Sequence, residues 1–325
     1  MLVLSEKQVQ SLIDIPELIA ALEQAHIQYS TGKAVMPVRL VVPLPQIRGR
    51  ITSMPGYLNA DKALGMKVVT YFSDNPKQSL PAILGTVMLF SAETGKIIAV
   101  MDGSSITAIR TACASAMATR VLANAQTPVL GILGAGVQAR AHIRALCRVR
   151  KISKIKLYSP SGASAAAVKK DLETESGAAI EIARSAEQTV RDSDLIVTAT
   201  TSNTPVLSRE WLKPGAHINA VGSHRPDQRE IDGPTVARAK VVVDSREAIM
   251  AECGDILLAI KEGSISESHI HGEIGDILAG IRPARSGTDE ITLYKSVGIA
   301  IQDVATANLV YHRALEQRIG TDVVV

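Results

Sequence analysis

Aromatic residues and cysteines are scarce in this chain of 325 residues. Phe, Trp and Tyr together make up 3% of it, so base-stacking platforms for single-stranded nucleic acid are not expected. The three cysteines are odd in number and lack metal-ligand spacing, which predicts buried thiols in a reducing compartment rather than a disulfide framework. They are Cys113, Cys147 and Cys253.

Charge runs and long apolar segments are missing as well. The net charge of +3 is small and no basic run marks a polyanion partner, so we expect neither nucleic acid nor a membrane among the partners. The chain shows no signal-peptide pattern and no apolar run of the roughly 20 residues that a spanning helix needs, which predicts a cytoplasmic protein. Its seven histidines show no convincing ligand spacing, and we expect no metal.

One apolar stretch of strand length, 128–133, leads directly into Gly134-x-Gly136-x-x-Ala139. The first glycine allows a tight turn, the second lets the backbone approach a pyrophosphate, and the small third residue lets helix pack on strand. A helical pattern follows with one apolar face, formed by Val137, Ala141, Ala145 and Val149. This strand–turn–helix setting predicts a dinucleotide site, with the phosphates on the N–H groups that begin the helix.

The arrangement of predicted elements indicates an α/β protein of two domains. From residue 128 onward strands alternate with helices, as in a doubly wound parallel sheet, with strands at 128–133, 155–158, 179–182, 195–200, 217–221 and 241–244. The residues ahead of it form a strand-rich unit, with strands at 36–43, 51–54, 64–72, 83–90 and 96–101. Helices are predicted at 104–123 and 297–315, and we expect the second to pack on the N-terminal unit.

Ligands bind at the carboxyl ends of strands in such sheets, which places Thr200, Thr201 and Val221 at the rim of the site. The second strand runs into Ser159-Pro160-Ser161, without the carboxylate that usually binds the ribose 2′-hydroxyl of NAD. Nothing there would repel a 2′-phosphate. We therefore predict NADP(H) as the preferred cofactor, with NAD(H) as the alternative.

Eight stretches, in their order along the chain, resemble the ornithine cyclodeaminase/μ-crystallin family. They are Met36-Pro37-Val38-Arg39, Met54-Pro55-Gly56-Tyr57, Leu64-Gly65-Met66-Lys67, Val100-Met101-Asp102-Gly103, Thr107-Ala108-Ile109-Arg110-Thr111-Ala112, Gly134-Ala135-Gly136-Val137-Gln138-Ala139, Gly215-Ala216-His217-Ile218-Asn219-Ala220-Val221-Gly222 and Lys295-Ser296-Val297-Gly298. The match spans nearly the whole chain and looks closest to the μ-crystallin/ketimine reductase branch. The resemblance implies a Rossmann domain, 122–298, inserted in a strand-rich α+β domain, 1–121 and 299–325, that binds substrate and forms a homodimer.

The resemblance also implies which side chains bind the substrate. The family's contacts to the substrate carboxylate fall on Arg39, Lys67 and Arg110, and further substrate contacts fall on Arg225 and Val297. Composition alone favours an exposed Arg110, the commoner position of an isolated arginine. The resemblance favours the opposite, and an arginine fork suits a carboxylate because it offers two parallel hydrogen bonds.

The fingerprint, the strand ends and the resemblance together define a set of expected cofactor contacts. The resemblance contributes Arg110 and Thr111 at the phosphates and Ser296 elsewhere on the cofactor. The full set is Arg110, Thr111, Gly134, Ala135, Gly136, Val137, Gln138, Ser159, Pro160, Ser161, Thr200, Thr201, Val221 and Ser296.

Two departures from the family pattern distinguish its branches. Cyclodeaminases and alanine dehydrogenases have an aspartate where this chain has His224, and the cyclodeaminase has a glutamate where this chain has Thr52. The reductase branch does not require these carboxylates. His224 is either a polar loop residue or a proton donor, since its ordinary pKa lies near neutrality.

These observations predict an NAD(P)H-dependent reductase of cyclic imino acids, such as pyrroline- or piperideine-2-carboxylate, yielding proline or pipecolate. The cofactor would supply the hydride and the protein the orientation and charge, with Lys67 or His224 as the catalytic proton donor. One alternative is an ornithine cyclodeaminase or alanine-type amino-acid dehydrogenase. Another is a non-catalytic, cofactor-dependent ligand-binding protein of the μ-crystallin type.

Overall fold

Two units make up the fold of this chain, whose computed structural model describes residues 1–324. One unit comprises Met1–Arg110 with the C-terminal segment from Ile299, and the other Thr111–Gly298. The domain boundary predicted at 121/122 lies eleven residues beyond the division at 110/111, and both positions fall within one long helix, Gly103–Leu122. Val325, the last residue of the predicted second segment, lies outside the described residues.

The first unit is built on a mixed sheet. Its strands are β1 (Leu2–Leu4), β2 (Ala34–Val35), β3 (Leu40–Leu44), β4 (Gly49–Leu58), β5 (Ala63–Phe72), β6 (Ile83–Ser91), β7 (Ile97–Asp102) and, near the C-terminus, β16 (Thr321–Asp322). Strands β4 to β7 form an antiparallel meander, in which each strand pairs with the next one along the chain. Strand β1 joins β7 in parallel, β16 pairs with β1, and β2 and β3 both pair with β4.

The helices of this unit are α1 (Glu6–Leu12), α2 (Ile15–Ser30), the first part of α3 (Gly103–Leu122) and α11 (Ala300–Gln317). The last helix packs across β4, β5 and β6 and against α2, as predicted. Two glycines paired across β4 and β5 allow this close packing. A Cβ on Gly56 would lie 3.3 Å from the Ala300 Cβ, and one on Gly65 would lie 3.2 Å from a Val304 methyl.

The second unit is a parallel sheet covered by helices. Its strands are β8 (Val129–Leu133), β9 (Lys154–Tyr158), β10 (Ala179–Ile182), β11 (Leu195–Thr198), β12 (His217–Ala220), β13 (Lys240–Val243), β14 (Ile270–Glu273) and β15 (Thr292–Lys295), in the order β10-β9-β8-β11-β12-β15-β13-β14. Its helices are α4 (Val137–Val149), α5 (Gly162–Ser176), α6 (Ala186–Val190), α7 (Gly233–Arg238), α8 (Arg246–Glu252), α9 (Gly254–Lys261) and α10 (Ile274–Leu278). Strand β8 lies between β9 and β11, so the order reverses there, as in a doubly wound sheet. The predicted fold class is confirmed.

Several local expectations were wrong. The stretch predicted as a strand over 36–43 pairs only from Leu40, because Pro37 cannot donate a ladder hydrogen bond. The buried face of α4 is formed by Ala139, His142, Ile143, Ala145 and Leu146, whereas Val137 is 69% exposed. The last helix begins at Ala300 and not at Val297. Strands β14 and β15 were not predicted. Within residues 1–324, no helix combines the length and apolarity needed to cross a membrane.

Candidate functional site

The turn between β8 and α4 has the backbone geometry that a phosphate cradle needs. Gly134 adopts a φ of +111°, and a Cβ there would lie 2.3 Å from the Ala199 carbonyl oxygen, so only glycine fits. Gly136 is the N-cap of α4, and a Cβ on it would have no neighbour within 4 Å among the described residues. The first turn of α4 contains no acidic residue. Its N–H groups and helix dipole therefore suit an anion.

This turn opens into a cavity of about 660 Å³ in the second unit. Its wall consists of Leu133, Gly134, Ala135, Gly136, Tyr158, Ser159, Pro160, Ser164, Ala186, Ala199, Thr200, Thr201, Ser202, Pro205, Val206 and Trp211. The expected contacts Gly134, Ala135, Gly136, Ser159, Pro160, Thr200 and Thr201 are therefore brought together. All the wall residues are uncharged. The volume of the cavity is large enough for one nucleotide half of a dinucleotide cofactor.

The other expected cofactor residues lie outside this wall. Val137 and Gln138 begin α4, and Ser161 caps α5, where its hydroxyl accepts a hydrogen bond from the Ser164 N–H. Val221 follows β12, whose last residue is Ala220. Arg110, Thr111 and Ser296 complete the group and are buried.

A buried carboxylate fastens together the two loops that follow β11 and β12. Glu230 accepts hydrogen bonds from the Thr200 N–H (2.6 Å), the Gly222 N–H (2.8 Å) and the Thr198 hydroxyl (2.8 Å). Burial raises its pKa, and Asp255 adds to that rise. Asp255 in turn accepts the Glu230 N–H and forms a fully buried ion pair with Lys295, 2.8 Å long.

The segment after β15 is held by a second buried carboxylate. Asp244 Oδ2 accepts the Ser296 hydroxyl at 2.7 Å, the Val297 N–H at 3.0 Å and the Gly298 N–H at 2.8 Å. The expected cofactor contact Ser296 and the expected substrate contact Val297 thus have fixed positions. The hydroxyl proton of Ser296 is directed to Asp244, so its oxygen acts toward other groups as an acceptor.

The loop after β12 holds the remaining two candidates. His224 is half-buried, and its Nδ1 lies 3.2 Å from the Gly222 carbonyl oxygen. A carbonyl can only accept, so Nδ1 carries the proton and Nε2 of the neutral ring is an acceptor. Arg225 is exposed and forms a bidentate pair with Asp227, at 3.1 and 2.9 Å. Its fork is therefore engaged within the loop.

Two of the three expected carboxylate-binding cations converge in the first unit. Lys67 Nζ lies 2.6 Å from Asp303 Oδ2, and Arg110 Nε lies 2.9 Å from Asp303 Oδ1. Lys67 is 2% exposed and Arg110 4%, so the expectation of an exposed Arg110 from composition was wrong. Arg39 is half-buried and close enough to Lys67 to affect its pKa.

The charges and burial in this cluster bring the pKa of Lys67 close to neutral pH. Burial lowers the pKa of Lys67 to about 7, against the raising effect of Asp303, and Arg110 and Arg39 lower it further. Burial would raise the pKa of Asp303, but Arg110 and Lys67 outweigh it and hold the pKa below its usual range. The carboxylate is therefore ionised, and Lys67 exchanges its proton near neutral pH.

Asp303, Gln302 and His26 belong to the same network and were missed from the sequence. The Arg110 Nη1 donates to Gln302 Oε1 at 2.7 Å, and Gln302 Nε2 lies 3.1 Å from His26 Nε2. Burial, helped by Arg110, lowers the pKa of His26 to about 3, so its ring is neutral and accepts this bond. The available signal was a pair of polar residues between Ile301 and Val304 on the apolar face of the last helix.

The remaining histidines do not assemble a metal site. His269 Nε2 lies 3.0 Å from the Val236 carbonyl oxygen, and His271 Nε2 lies 2.9 Å from that of Pro283. Over residues 1–324, no group of three or more His, Cys, Asp and Glu side chains could hold a metal ion.

Comparison with known proteins gives a consistent set of relatives. The family model described as the ornithine cyclodeaminase/mu-crystallin family matches residues 1–318. A Δ1-pyrroline-2-carboxylate reductase of Bacillus cereus is 37% identical over 321 residues, 98% of each chain. Ketimine reductase mu-crystallin of Mus musculus is 39% identical over 297 residues, 90% of this chain and 91% of the relative.

A solved structure agrees closely with the fold. Thermococcus litoralis Δ1-pyrroline-2-carboxylate reductase, in complex with NADH and L-proline, matches with a TM-score of 0.96 at 41% sequence identity. The match covers 99% of this chain and 100% of that one. Both units are therefore represented in one solved relative.

Proposed function

This chain belongs to the ornithine cyclodeaminase/μ-crystallin family, and we propose that it is an NAD(P)H-dependent reductase of cyclic imino acids. The resemblance predicted from the motifs is confirmed, and the named activities of the relatives support the reductase branch. The observation that carries the proposal is the convergence of Lys67 and Arg110 in one buried cluster of a chain that also has a dinucleotide cradle.

We propose that the substrate carboxylate binds as a second anion of the cation cluster. Arg39, Lys67 and Arg110 carry three positive charges when Lys67 is protonated, and Asp303 neutralises one of them. The remaining positive charge, in a desolvated setting, favours a small anion more strongly than it would in water. We propose Val297 and Arg225 as further contacts to the substrate.

The residues of the cradle fit a nicotinamide dinucleotide. We propose that Gly134 to Gln138, with Arg110 and Thr111, hold the phosphates, and that Ser159, Pro160 and Ser161 hold the adenosine ribose. Thr200, Thr201, Val221 and Ser296 complete the proposed set. Gly134 supports this fit, since any Cβ there would collide with the Ala199 carbonyl and displace the turn. When bound, the cofactor supplies a hydride to the imine carbon.

A preference for NADP(H) over NAD(H) stays a prediction. Its support is the uncharged wall around Ser159 and Pro160, which contains no carboxylate that would repel a 2′-phosphate. Dissociation constants for NADPH and NADH, measured side by side by calorimetry, test it. Equal constants, or tighter binding of NADH, would contradict the preference.

Lys67 is the proton donor that the geometry favours. Its pKa of about 7 lets the ammonium release a proton from Nζ to the imine nitrogen at neutral pH and regain it afterwards. His224 is less suited, because its Nδ1 proton is directed to the Gly222 carbonyl. The ring can donate from Nε2 only as imidazolium.

An assay of NADPH oxidation with pyrroline-2-carboxylate and piperideine-2-carboxylate tests the function. We expect turnover of at least one of these imines, with proline or pipecolate as product. Failure of both to react above background would refute the reductase. Reductive amination of pyruvate with ammonia, or ammonia release from ornithine, would instead identify an alanine dehydrogenase or a cyclodeaminase, against which His224 and Thr52 count.

We also propose a homodimer. A cross-strand row on the sheet face opposite Lys67 is formed by Val42, Ile51, Thr70 and Leu84, which are direct neighbours on β3 to β6. The three apolar members are 43%, 37% and 43% exposed, and Leu40 beside them is 64% exposed. A contiguous apolar surface of this kind is typical of a protein interface. The cytoplasmic location also stays a prediction, in keeping with the three free cysteines.

A further inference from the structure

One carboxylate, Asp303, binds both cations on which the proposed reaction depends. It comes from α11, whereas Lys67 is on β5 and Arg110 on α3, 193 residues away in sequence from Asp303. All three side chains are buried, and the carboxylate is fully so. The proposed function uses the two cations and assigns Asp303 no role beyond charge balance.

We propose that Asp303 is a positioning residue for the imine reduction, which keeps Lys67 as the ammonium form that donates the proton and fixes the orientation of Arg110. This inference rests on the proposed function and assigns a role within the same site. Asp303 itself need not contact the substrate, since it acts through the two cations.

Among the groups around Lys67, Asp303 is the one that favours the protonated, positively charged form of the lysine. The positive groups facing Lys67 are Arg110, from α3, and Arg39, ahead of β3, and both oppose protonation. Thr107 on α3 lies 3.3 Å from Nζ, and the residues paired with Lys67 on the adjacent strands are Met54 and Val87. These three are uncharged. A buried amine surrounded by cations and uncharged groups loses its proton unless a nearby carboxylate offsets the cost of burying its positive charge.

The contacts of Arg110 support the orienting role. Asp303 holds its Nε at 2.9 Å while Gln302, the preceding residue on α11, holds its Nη1 at 2.7 Å. His26 on α2 fixes the Gln302 amide in turn, and with a pKa of about 3 it adds no charge of its own. The guanidinium plane is thus set by two adjacent residues of one helix, which limits the ways in which it can meet a carboxylate.

The test compares pH profiles of kcat/KM for the full-length enzyme and its Asp303→Asn variant, with pyrroline-2-carboxylate and NADPH. Without the negative charge Lys67 loses its proton at lower pH, so the high-pH limb should move down by about one pH unit or more, a loss of about tenfold on that limb. At the low-pH end the variant should approach the wild-type value, because the amide oxygen introduced by Asp303→Asn can still accept the hydrogen bond from Arg110 Nε. Asp303→Glu should keep the wild-type limb.

The matched control is Asp61→Asn, which removes an exposed carboxylate bonded to Gln28 in the same unit and should leave the profile unchanged. A uniform loss of kcat/KM at every pH in Asp303→Asn would overturn the proposal, because a purely structural role predicts that result. Circular dichroism confirms that each variant is folded.

A second measurement keeps the inference separable from the proposed function. In protein with ¹⁵N-labelled lysine, the side-chain resonance that is absent in Lys67→Arg is titrated without substrate. Titration near neutral pH in the wild type, and about one pH unit or more lower in Asp303→Asn, supports the coupling even if no imine is reduced. The same midpoint in both proteins would overturn it, as would a wild-type midpoint well below neutral pH, because Lys67 would then be uncharged despite Asp303. That wild-type result decides alone if Asp303→Asn does not fold.

Discussion

Arg110 shows how burial of a charge depends on its partners. Composition alone favours an exposed position for this arginine, yet it is 4% exposed. The cost of desolvating a guanidinium is offset because Asp303 and Gln302 both accept its hydrogen bonds. The side chain that decides its position is therefore remote in sequence.

Substitution of the two converging cations should be far more costly than substitution of exposed ones. We expect Lys67→Ala and Arg110→Ala each to lower kcat/KM for pyrroline-2-carboxylate by about a hundredfold or more, since each removes a charge from a desolvated anion site. Steady-state kinetics at fixed, saturating NADPH measures this.

The controls for this experiment are Lys77→Ala and Arg48→Ala, whose side chains are 72% and 66% exposed. Exposed ion pairs contribute little, so we expect rates within about twofold of the wild type. Near-normal rates in Lys67→Ala and Arg110→Ala would contradict the carboxylate clamp.

Among the residues of the cluster, the cations Lys67 and Arg110 could be predicted from the sequence, whereas their counter-ion Asp303 could not. Lys67 and Arg110 lie in motifs that match a family position by position. Asp303 is one of two acidic residues in an amphipathic helix, a pattern that usually indicates a solvated position. Only the packing of α11 over Gly56 and Gly65 brings it to Lys67, and that contact depends on long-range geometry that no local pattern contains.

Among the elements, the β8–α4 turn is the one whose shape follows most directly from its residues. Gly134→Ala should weaken NADPH binding by about tenfold or more, because its Cβ would meet the Ala199 carbonyl at 2.3 Å and the backbone is in a conformation that alanine avoids. Titration calorimetry with NADPH measures the dissociation constant.

A matched glycine elsewhere in the same unit provides the comparison. Gly287 has open space around its Cβ position, so Gly287→Ala should leave the dissociation constant unchanged. If both variants bind NADPH like the wild type, the turn does not hold the phosphates. If both lose binding, the effect of Gly134→Ala is not specific to the turn.

The strands that the sequence did not reveal depend on partners from elsewhere. Strand β15 contains Lys295, whose fully buried ammonium pairs with Asp255 on α9 and donates to the Ser223 carbonyl oxygen. Strand β14 contains His271 and Glu273 and lies at the edge of the sheet, where apolar patterning is weaker. By contrast, β11 is a continuous buried apolar run and was predicted within two residues.

At the scale of the whole molecule, acid should destabilise the fold more steeply than carboxylates alone would. Burial lowers the pKa of His26 and His217 to about 3 and of His142 to about 4, with a smaller lowering effect of Arg110 at His26 and of Arg285 at His217. The unfolded chain therefore binds protons that the folded chain does not. Stability from these groups is complete above about pH 6.5 and declines as the pH falls toward 4.

The expected size is about 1.4 kcal/mol per pH unit for each histidine, or about 4 kcal/mol per pH unit for the three together, once the pH is well below 6.5. Urea unfolding between about pH 7 and about pH 5 measures the slope. His142→Gln, which can still bond to Ser115 and to the Gln138 carbonyl, should reduce the slope by about a third. An unfolding free energy that does not change over this range would contradict the neutral state of these rings.

The assembly state can be tested on the apolar row of the first unit. Ile51→Asp and Leu84→Asp each place a charge within this surface, and we expect the double variant to elute as a monomer in light-scattering chromatography. Ile281→Asp is the control, because Ile281 is 60% exposed but lies on the other unit. A wild-type monomer would refute the homodimer, and a dimeric double variant would show that this row is not its interface.

The position of Trp211 has a practical consequence. It is the one tryptophan of the chain, and it forms part of the cavity wall together with Tyr158, Ser159 and Thr201. The tryptophan fluorescence therefore reports on this one site. A cofactor that enters the cavity should lower the emission of Trp211, by quenching or by energy transfer to the nicotinamide. The protein carries its own optical reporter, with which occupancy can be followed in real time and without labels.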